Sequence, residues 1–402
     1  MSQMSAEHPV NRIPSVRQTE FTARARAAAE VAALHAAAVD SEARFPAEAL
    51  AELRKQRLLG AQVPVALGGD GASLSDLADI CYILGQSCSS TALMFAMHQI
   101  KIACIVRHYG GAAGVERILR RIAGEQLLMA SSTTEGQAGG NVRSSEAPVV
   151  PDGDMLTLDR KATVISYAVE ADGIVTTARR NADAAGHDQV LLVLLKSDYT
   201  LERLQVWDTL GMRGTHSEGF TLRARAPAGQ LLPQPYDKIH AQTMVPFAHL
   251  LWSSVWTGIG AAATAKAQAF LRHVARQSAG QMPPGAAHYT QALSTLRALR
   301  SVLAANLRRY QDIMDDEKAL ASLEFQASIT LVKVQCSEMA VTTVLSSLRA
   351  CGLSGYRNDT DFSMSRLLRD VLSAPLRINN DRILANLASS SLMTPLPTTI
   401  SG

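Results

Sequence analysis

Apolar residues recur three and four positions apart from Gln18 to Asp40, in a run rich in Ala, Arg and Glu, and that spacing predicts a helix. Pro46 at a first turn opens a second helix over Ala49 to Leu59. Ser73 follows a glycine-rich loop and is placed to cap a helix from Leu74 to Gln86; further helices are expected over Ser90–His108 and Gly114–Ala123. At Gln126 the texture changes. Short apolar or alternating runs at 127–130, 155–158, 173–178 and 190–195, with turns at Asp152-Gly153 and Ala184-Ala185-Gly186, predict strands of a sandwich or barrel. Around Gln234 the helical spacing returns, with helices expected over Pro246–Gln277, Ala286–Asp315, Glu317–Arg349 and Phe362–Ser389. The expected class is α+β: a helical domain over 15–125, a β-domain over 126–235 and a helical bundle over 236–394.

Composition narrows the function classes. Of 402 residues 47% are hydrophobic and 19% charged, a globular balance long enough to bury a large core. The 39 basic and 36 acidic residues leave a net charge of +3, and no basic stripe interleaves with aromatics, so nucleic acid is not an expected partner. Cys81, Cys88, Cys104, Cys336 and Cys351 have neither disulfide-framework nor zinc-ligand spacing, which suits a reducing cytoplasm without a bound metal. Residues 1–14 are polar, so neither a signal peptide nor a membrane span is expected. Helices at 301–315 and 329–349 carry more apolar residues than one bundle face needs, which predicts a homodimer or homotetramer. Gly258-Ile259-Gly260-Ala261-Ala262-Ala263 fits a loose dinucleotide pattern, but no strand precedes it, and the expected role is close helix packing.

The chemistry gathers on Trp207-Asp208-Thr209-Leu210-Gly211-Met212-Arg213-Gly214-Thr215-His216-Ser217, a polar turn between two alternating segments. This string resembles the "W-x-x-x-G-M-R-G-T-x-S" stretch of the acyl-CoA dehydrogenase superfamily, which also contains oxidases and two-component flavin monooxygenases. The resemblance runs from about Gln18 to Leu392 and implies FAD, or alternatively FMN, between the β-domain and the C-terminal helices. Thr133-Thr134-Glu135-Gly136-Gln137-Ala138-Gly139-Gly140-Asn141 resembles the family's "T-E-P-x-A-G-S-D" loop, which gives Thr134 and Gly139 to the flavin. Lys161-Ala162-Thr163-Val164-Ile165-Ser166 stands in place of "K-x-W-I-T", with Ser166 the nearest hydroxyl, one residue late. Gly352 and Gly355 lie in a stretch similar to the "G-G-x-G-Y" turn, Arg366 to Asp370 matches "R-x-x-R-D", and Arg276 stands where "R-x-Q-F-G" begins. By the resemblance, Arg276, Gly352 and Gly355 would meet the adenosine end of FAD.

One expected residue is missing. Dehydrogenation of an acyl thioester needs a carboxylate to take the α-proton. The family's usual position, eight residues beyond Asp370, holds Ile378, and the alternative position at the start of the C-terminal domain falls at 246–250, without an acid. Asp381 as a displaced base, His249 as base or substrate contact, and a reaction that needs no such base all remain open; in the last case His98 or His249 orients the substrate. The leading expectation is a flavoprotein that oxidises an acyl thioester of CoA or a carrier protein, with an electron-transfer flavoprotein as acceptor. The alternative is a monooxygenase fed by a flavin reductase, and the third an acyl-thioester-binding subunit without catalysis.

Overall fold

The structure is a computed structural model that describes residues 16–135, 142–277, 281–393 and 398–399. Five helices come first: α1 Val16–Ser41, α2 Ala47–Lys55, α3 Leu74–Gly85, α4 Ser89–His108 and α5 Ala113–Glu125. Ser73 caps α3 through a reciprocal box with Asp76, which is why that helix begins where the sequence predicts. Helix α4 is apolar enough and long enough to cross a membrane, yet 94% of that stretch is buried inside the protein; it is the central core helix.

Among the described residues seven strands follow: β1 Met129–Ser132, β2 Val150–Asp152, β3 Met155–Ser166, β4 Gly173–Arg179, β5 Gln189–Leu195, β6 Tyr199–Gln205 and β7 Ser217–Pro227. They form two sheets, a three-stranded one ordered β1-β4-β5 and a four-stranded antiparallel one ordered β2-β3-β7-β6. Strand β1 runs parallel to β4. Between β3 and β7 the register shifts, so that Thr163 and Val164 together oppose the single residue Gly219. The shift brings Ser166 opposite Ser217, and their hydroxyls hydrogen-bond at 2.7 Å.

The C-terminal part comprises α6 Tyr236–Ile239, α7 Val245–Gln277, α8 Ala286–Ile313, α9 Glu317–Ala321, α10 Leu323–Cys351, α11 Leu353–Tyr356, α12 Ser365–Val371, α13 Ser373–Leu376 and α14 Asn380–Met393. Two continuous helices expected from the sequence are broken. At Ser322 the backbone turns extended and the side chain caps α10 by accepting from the Phe325 N–H, so the run from Glu317 splits into α9 and α10. The run from Phe362 splits into α12, α13 and α14. Pro375 has no N–H to continue a helix, and Ile378 adopts a φ of +50°, a left-handed conformation costly for a β-branched residue. Helix α7 crosses α3 where two glycines meet: a Cβ on Gly258 would lie 3.0 Å from the Gly85 Cα. This close crossing is what the loose dinucleotide pattern encodes.

Candidate active site

Trp207 to His216 joins β6 to β7 and is the point where the three parts of the chain meet. Met212 and His216 have positive φ, which folds the segment back on itself, and Trp207 Nε1 donates to the Met212 carbonyl at 3.0 Å. Arg213 Nε donates to the Asp40 carbonyl, and His216 bridges the Ala43 carbonyl and Glu170. With acceptors at both ring nitrogens, and Glu170 first among the causes, the His216 pKa is raised. On the other side the Met212 N–H donates to the buried Asp370 carboxylate at 2.7 Å. A Cβ on Gly211 would run into the Arg369 carbonyl, and one on Gly214 into Val39 and the Arg44 carbonyl. Arg369 in turn is paired bidentately with Asp40 of α1. The glycines, the arginines and Asp370 thus clasp α1, the β-strands and α12 together.

Beside this clasp lies a cavity of about 600 Å³, walled by strands on one side and by α4, α7 and residues 369–378 on the other. The strand wall carries hydroxyls: Ser131, Thr133, Thr134, Thr163, Ser166, Thr209 and Ser217. Ser166 and Ser217 are linked onward to Thr215, whose hydroxyl donates to the Met212 carbonyl. Such a wall fits the polar edge of a heteroaromatic ring such as an isoalloxazine, because a hydroxyl can both donate and accept. Thr134 and Ser166, the hydroxyls that the resemblance gives to the flavin, both line this wall, and β3 carries its extra residue against β7 just before Ser166. Gly139 lies outside the described residues.

The helical wall is different. His249, on the first turns of α7, donates through Nδ1 to the Ile329 carbonyl at 3.1 Å, which leaves Nε2 as the lone-pair nitrogen. Burial lowers its pKa to about 4, so the ring is neutral at pH 7. His240 begins a π-helical turn, His240–Met244, and is held neutral in the same way, with a pKa of about 3. Lys101 of α4 reaches Met244 Sδ at 3.6 Å, and burial lowers its pKa to about 8. Arg377 lies against Met97 Sδ at 2.8 Å and over the Trp252 ring at 5.2 Å. Neither cation has a carboxylate partner among the described residues, and no Asp or Glu lines the cavity. Ile378, in the position where the family resemblance expects the base, presents an apolar side chain to the cavity; Lys333 donates to its carbonyl at 2.6 Å and to Asn380 Oδ1.

Several sequence candidates are placed elsewhere. Asp381 is exposed on the first turn of α14 and does not line the cavity, so it cannot serve there as a displaced base. His98 is fully buried outside the cavity wall, with Nε2 donating to the Leu59 carbonyl and Nδ1 accepting from the Met129 N–H; it ties α4 to β1 and has no nitrogen left for a substrate. Glu135 points away from the cavity, into a buried pair with Arg160 and hydrogen bonds to Ser145 and the Glu146 N–H. Arg276 lies in the last turn of α7, Gly352 ends α10 and Gly355 lies in α11, and none of the three lines the cavity. Among the charged and titratable residues of the helical wall, Lys101, His240 and Arg377 were missed. Lys101 had a signal, as the one charged side chain in the apolar run from Ser89 to Val106. Among the described residues no group of three or more His, Cys, Asp or Glu could hold a metal ion.

Residues 15–126 match the family described as acyl-CoA dehydrogenase, N-terminal domain. Over 366 residues the chain is 26% identical to a cyclohex-1-ene-1-carbonyl-CoA dehydrogenase from Geobacter metallireducens, covering 89% of this chain and 92% of that protein. Its fold is similar to FMN-bound TdsC, a dibenzothiophene monooxygenase from Paenibacillus sp. A11-2, with a TM-score of 0.82, 17% identity and coverage of 94% and 98% of the two chains. Butyryl-CoA dehydrogenase from Megasphaera elsdenii superposes with a TM-score of 0.79 at 16% identity, covering 96% of this chain and all of that one. Residues 15–126 thus carry the N-terminal domain of the acyl-CoA dehydrogenase family, and the chain as a whole has the acyl-CoA dehydrogenase-like fold that these dehydrogenases and monooxygenases share.

Proposed function

We propose that the protein is a flavin-dependent monooxygenase, supplied with reduced flavin by a partner reductase. The observation that carries this reading is the cavity wall: among the described residues it has no carboxylate, while Lys101, Arg377 and the imidazoles of His240 and His249 all face it. An acyl-thioester dehydrogenase must remove a weakly acidic α-proton, and Ile378 has no group to do so. His249, neutral to about pH 4, is a feeble base for such a proton. It is well suited to another task. With its proton fixed on Nδ1, Nε2 accepts a hydrogen bond from a substrate N–H or O–H and orients the atom to be oxidised.

Thr134, Thr163, Ser166 and Ser217 would hold the flavin's polar edge, and a bound reduced flavin would supply the two electrons for oxygen. In balance, one atom of O2 enters the substrate and the other leaves as water, with two protons consumed. The apolar part of the wall, Met97, Ile100, Met244, Val245 and Trp252, excludes water from the reacting atoms.

The second reading is an acyl-CoA dehydrogenase in which His249 is the base. It is favoured by the Geobacter relative and by the place of His249 near the start of α7. Anaerobic mixing of flavin-loaded protein with a panel of acyl-CoA thioesters separates the two. A dehydrogenase bleaches the flavin without NADH. A monooxygenase stays oxidised and consumes oxygen only once a flavin reductase and NADH are added. Bleaching by a thioester at a catalytically competent rate would overturn the monooxygenase reading.

A further inference from the structure

Arg377 and Lys101 approach the same ridge of α4. Arg377 Nη2 touches Met97 Sδ, and Lys101 lies four residues farther on, one helical turn along the same face. Both line the cavity, yet no described carboxylate pairs with either. The other arginine of the wall differs: Arg369 is bound on two nitrogens by Asp40. An arginine without a counter-ion, set among Met97, Trp252 and Leu376, is costly to keep charged unless an anion comes to it. It does stay charged at neutral pH, since burial lowers its pKa only to about 10. Its guanidinium carbon lies over the Trp252 ring and Nη2 rests on Met97 Sδ, which leaves the remaining N–H groups, donors of the kind that bind carboxylates two-pronged, for the ligand.

We propose that Arg377, assisted by Lys101, is the recognition site for the anionic head of a small free carboxylic acid with an apolar body, and that this acid is the substrate. The inference rests on the monooxygenase reading only in calling the bound acid a substrate. A CoA thioester offers a neutral carbonyl where this site offers a cation. A free acid matches both halves of the wall, its carboxylate at Arg377 and its carbon skeleton against Met97, Ile100, Met244 and Trp252. The anchored carboxylate would fix which carbon or heteroatom comes under His249, whose ring centroid is 6.4 Å from that of Trp252.

The test is calorimetric titration of the full-length protein with aryl and alkyl carboxylates, each paired with its neutral amide, beginning with benzoate and benzamide. A hydrogen-bonded, partly buried ion pair predicts that the best acid binds about ten- to a hundredfold more tightly than its amide. In Arg377→Gln that preference should vanish while amide binding is kept, which also shows that the cavity is intact. Arg377→Lys, with the charge but neither fork nor stack, should restore part of it, and Lys101→Met should reduce it less than Arg377→Gln does. The inference is overturned if no acid in the panel binds, if acid and amide bind alike, or if Arg377→Gln keeps the preference. The two readings fail separately. Acid-selective binding without reductase-dependent oxygen uptake would sink the oxygenase and leave the carboxylate site standing. Oxygen uptake with neutral substrates alone would do the reverse.

Discussion

On the strand side of the cavity the polar side chains are hydroxyls, several tied to one another or to backbone; on the helical side they are cations and imidazoles, two of which, His240 and Arg377, stand on or beside irregular backbone. Ser166, Ser217 and Thr215 form a chain that ends on the Met212 carbonyl, inside a turn fixed by Gly211, Gly214 and Asp370. Opposite them, His240 stands on a π-helical turn, and Arg377 precedes an isoleucine held at positive φ. Neutral hydroxyls on a rigid sheet suit a cofactor edge that is the same in every turnover. Charged and titratable groups on segments that depart from regular helices suit the part of the site that must distinguish one substrate from another. The difference between the dehydrogenase-like fold and the chemistry proposed here therefore resides on one wall.

The largest effect expected from that contrast is on turnover. His249→Ala should lower the rate with the native substrate by about 10²–10⁴-fold, the usual range for a positioned proton acceptor, while flavin uptake is unchanged. Stopped-flow absorbance on the flavin-loaded variant measures both; a rate within a factor of two of wild type would remove His249 from the chemistry. Acid stability comes next. His98, His108 and His249 are buried and His240 is half-buried, and desolvation lowers their folded pKa values to about 3 to 4, below the ordinary value of 6.5. The unfolded chain therefore takes up protons first, so stability is full above about pH 6.5 and falls as the pH drops from there toward 4. His216 has the opposite sign: its raised pKa adds stability at low pH that is lost as the pH rises through the folded value. Four depressed groups against one raised should leave a net loss on acidification, read as a melting temperature lower at pH 5 than at pH 7.5. An unchanged melting temperature would show that these rings are not neutral in the native protein.

Smaller effects belong to the strand wall. Ser166→Ala removes one neutral hydrogen bond and should weaken flavin binding by about 0.5–1.5 kcal/mol, with little change in substrate preference. Fluorescence titration of the apoprotein with FMN and with FAD would measure it, and a change in acid-over-amide preference would erase the division of labour between the walls. Asp381→Asn should change nothing measurable in turnover, because the side chain is exposed away from the cavity. A loss of tenfold or more would restore the displaced-base idea.

What the sequence by itself determined is the order of parts and the clasp. Helical spacing, alternation and caps depend on neighbours within a few residues, so α1, α3, α4 and the strands could be read from the chain; the capping box at Ser73 is an instance. Gly211-Met212-Arg213-Gly214-Thr215 was legible because glycines forced by close backbone approach leave a fixed string of residue types. The helical wall was not legible, and the reasons are long-range. Whether a carboxylate reaches a cavity depends on which way a turn points, and only the tertiary structure turned Asp381 outward. It also split the last predicted helix at Pro375 and Ile378, where Lys333, 45 residues earlier in sequence, holds the Ile378 carbonyl. Arg377 reads in the sequence as an ordinary charged residue near a helix. The recognition role proposed for it arises only because folding brings it against Trp252 and Met97, far away along the chain, with no acid among the described residues paired to it.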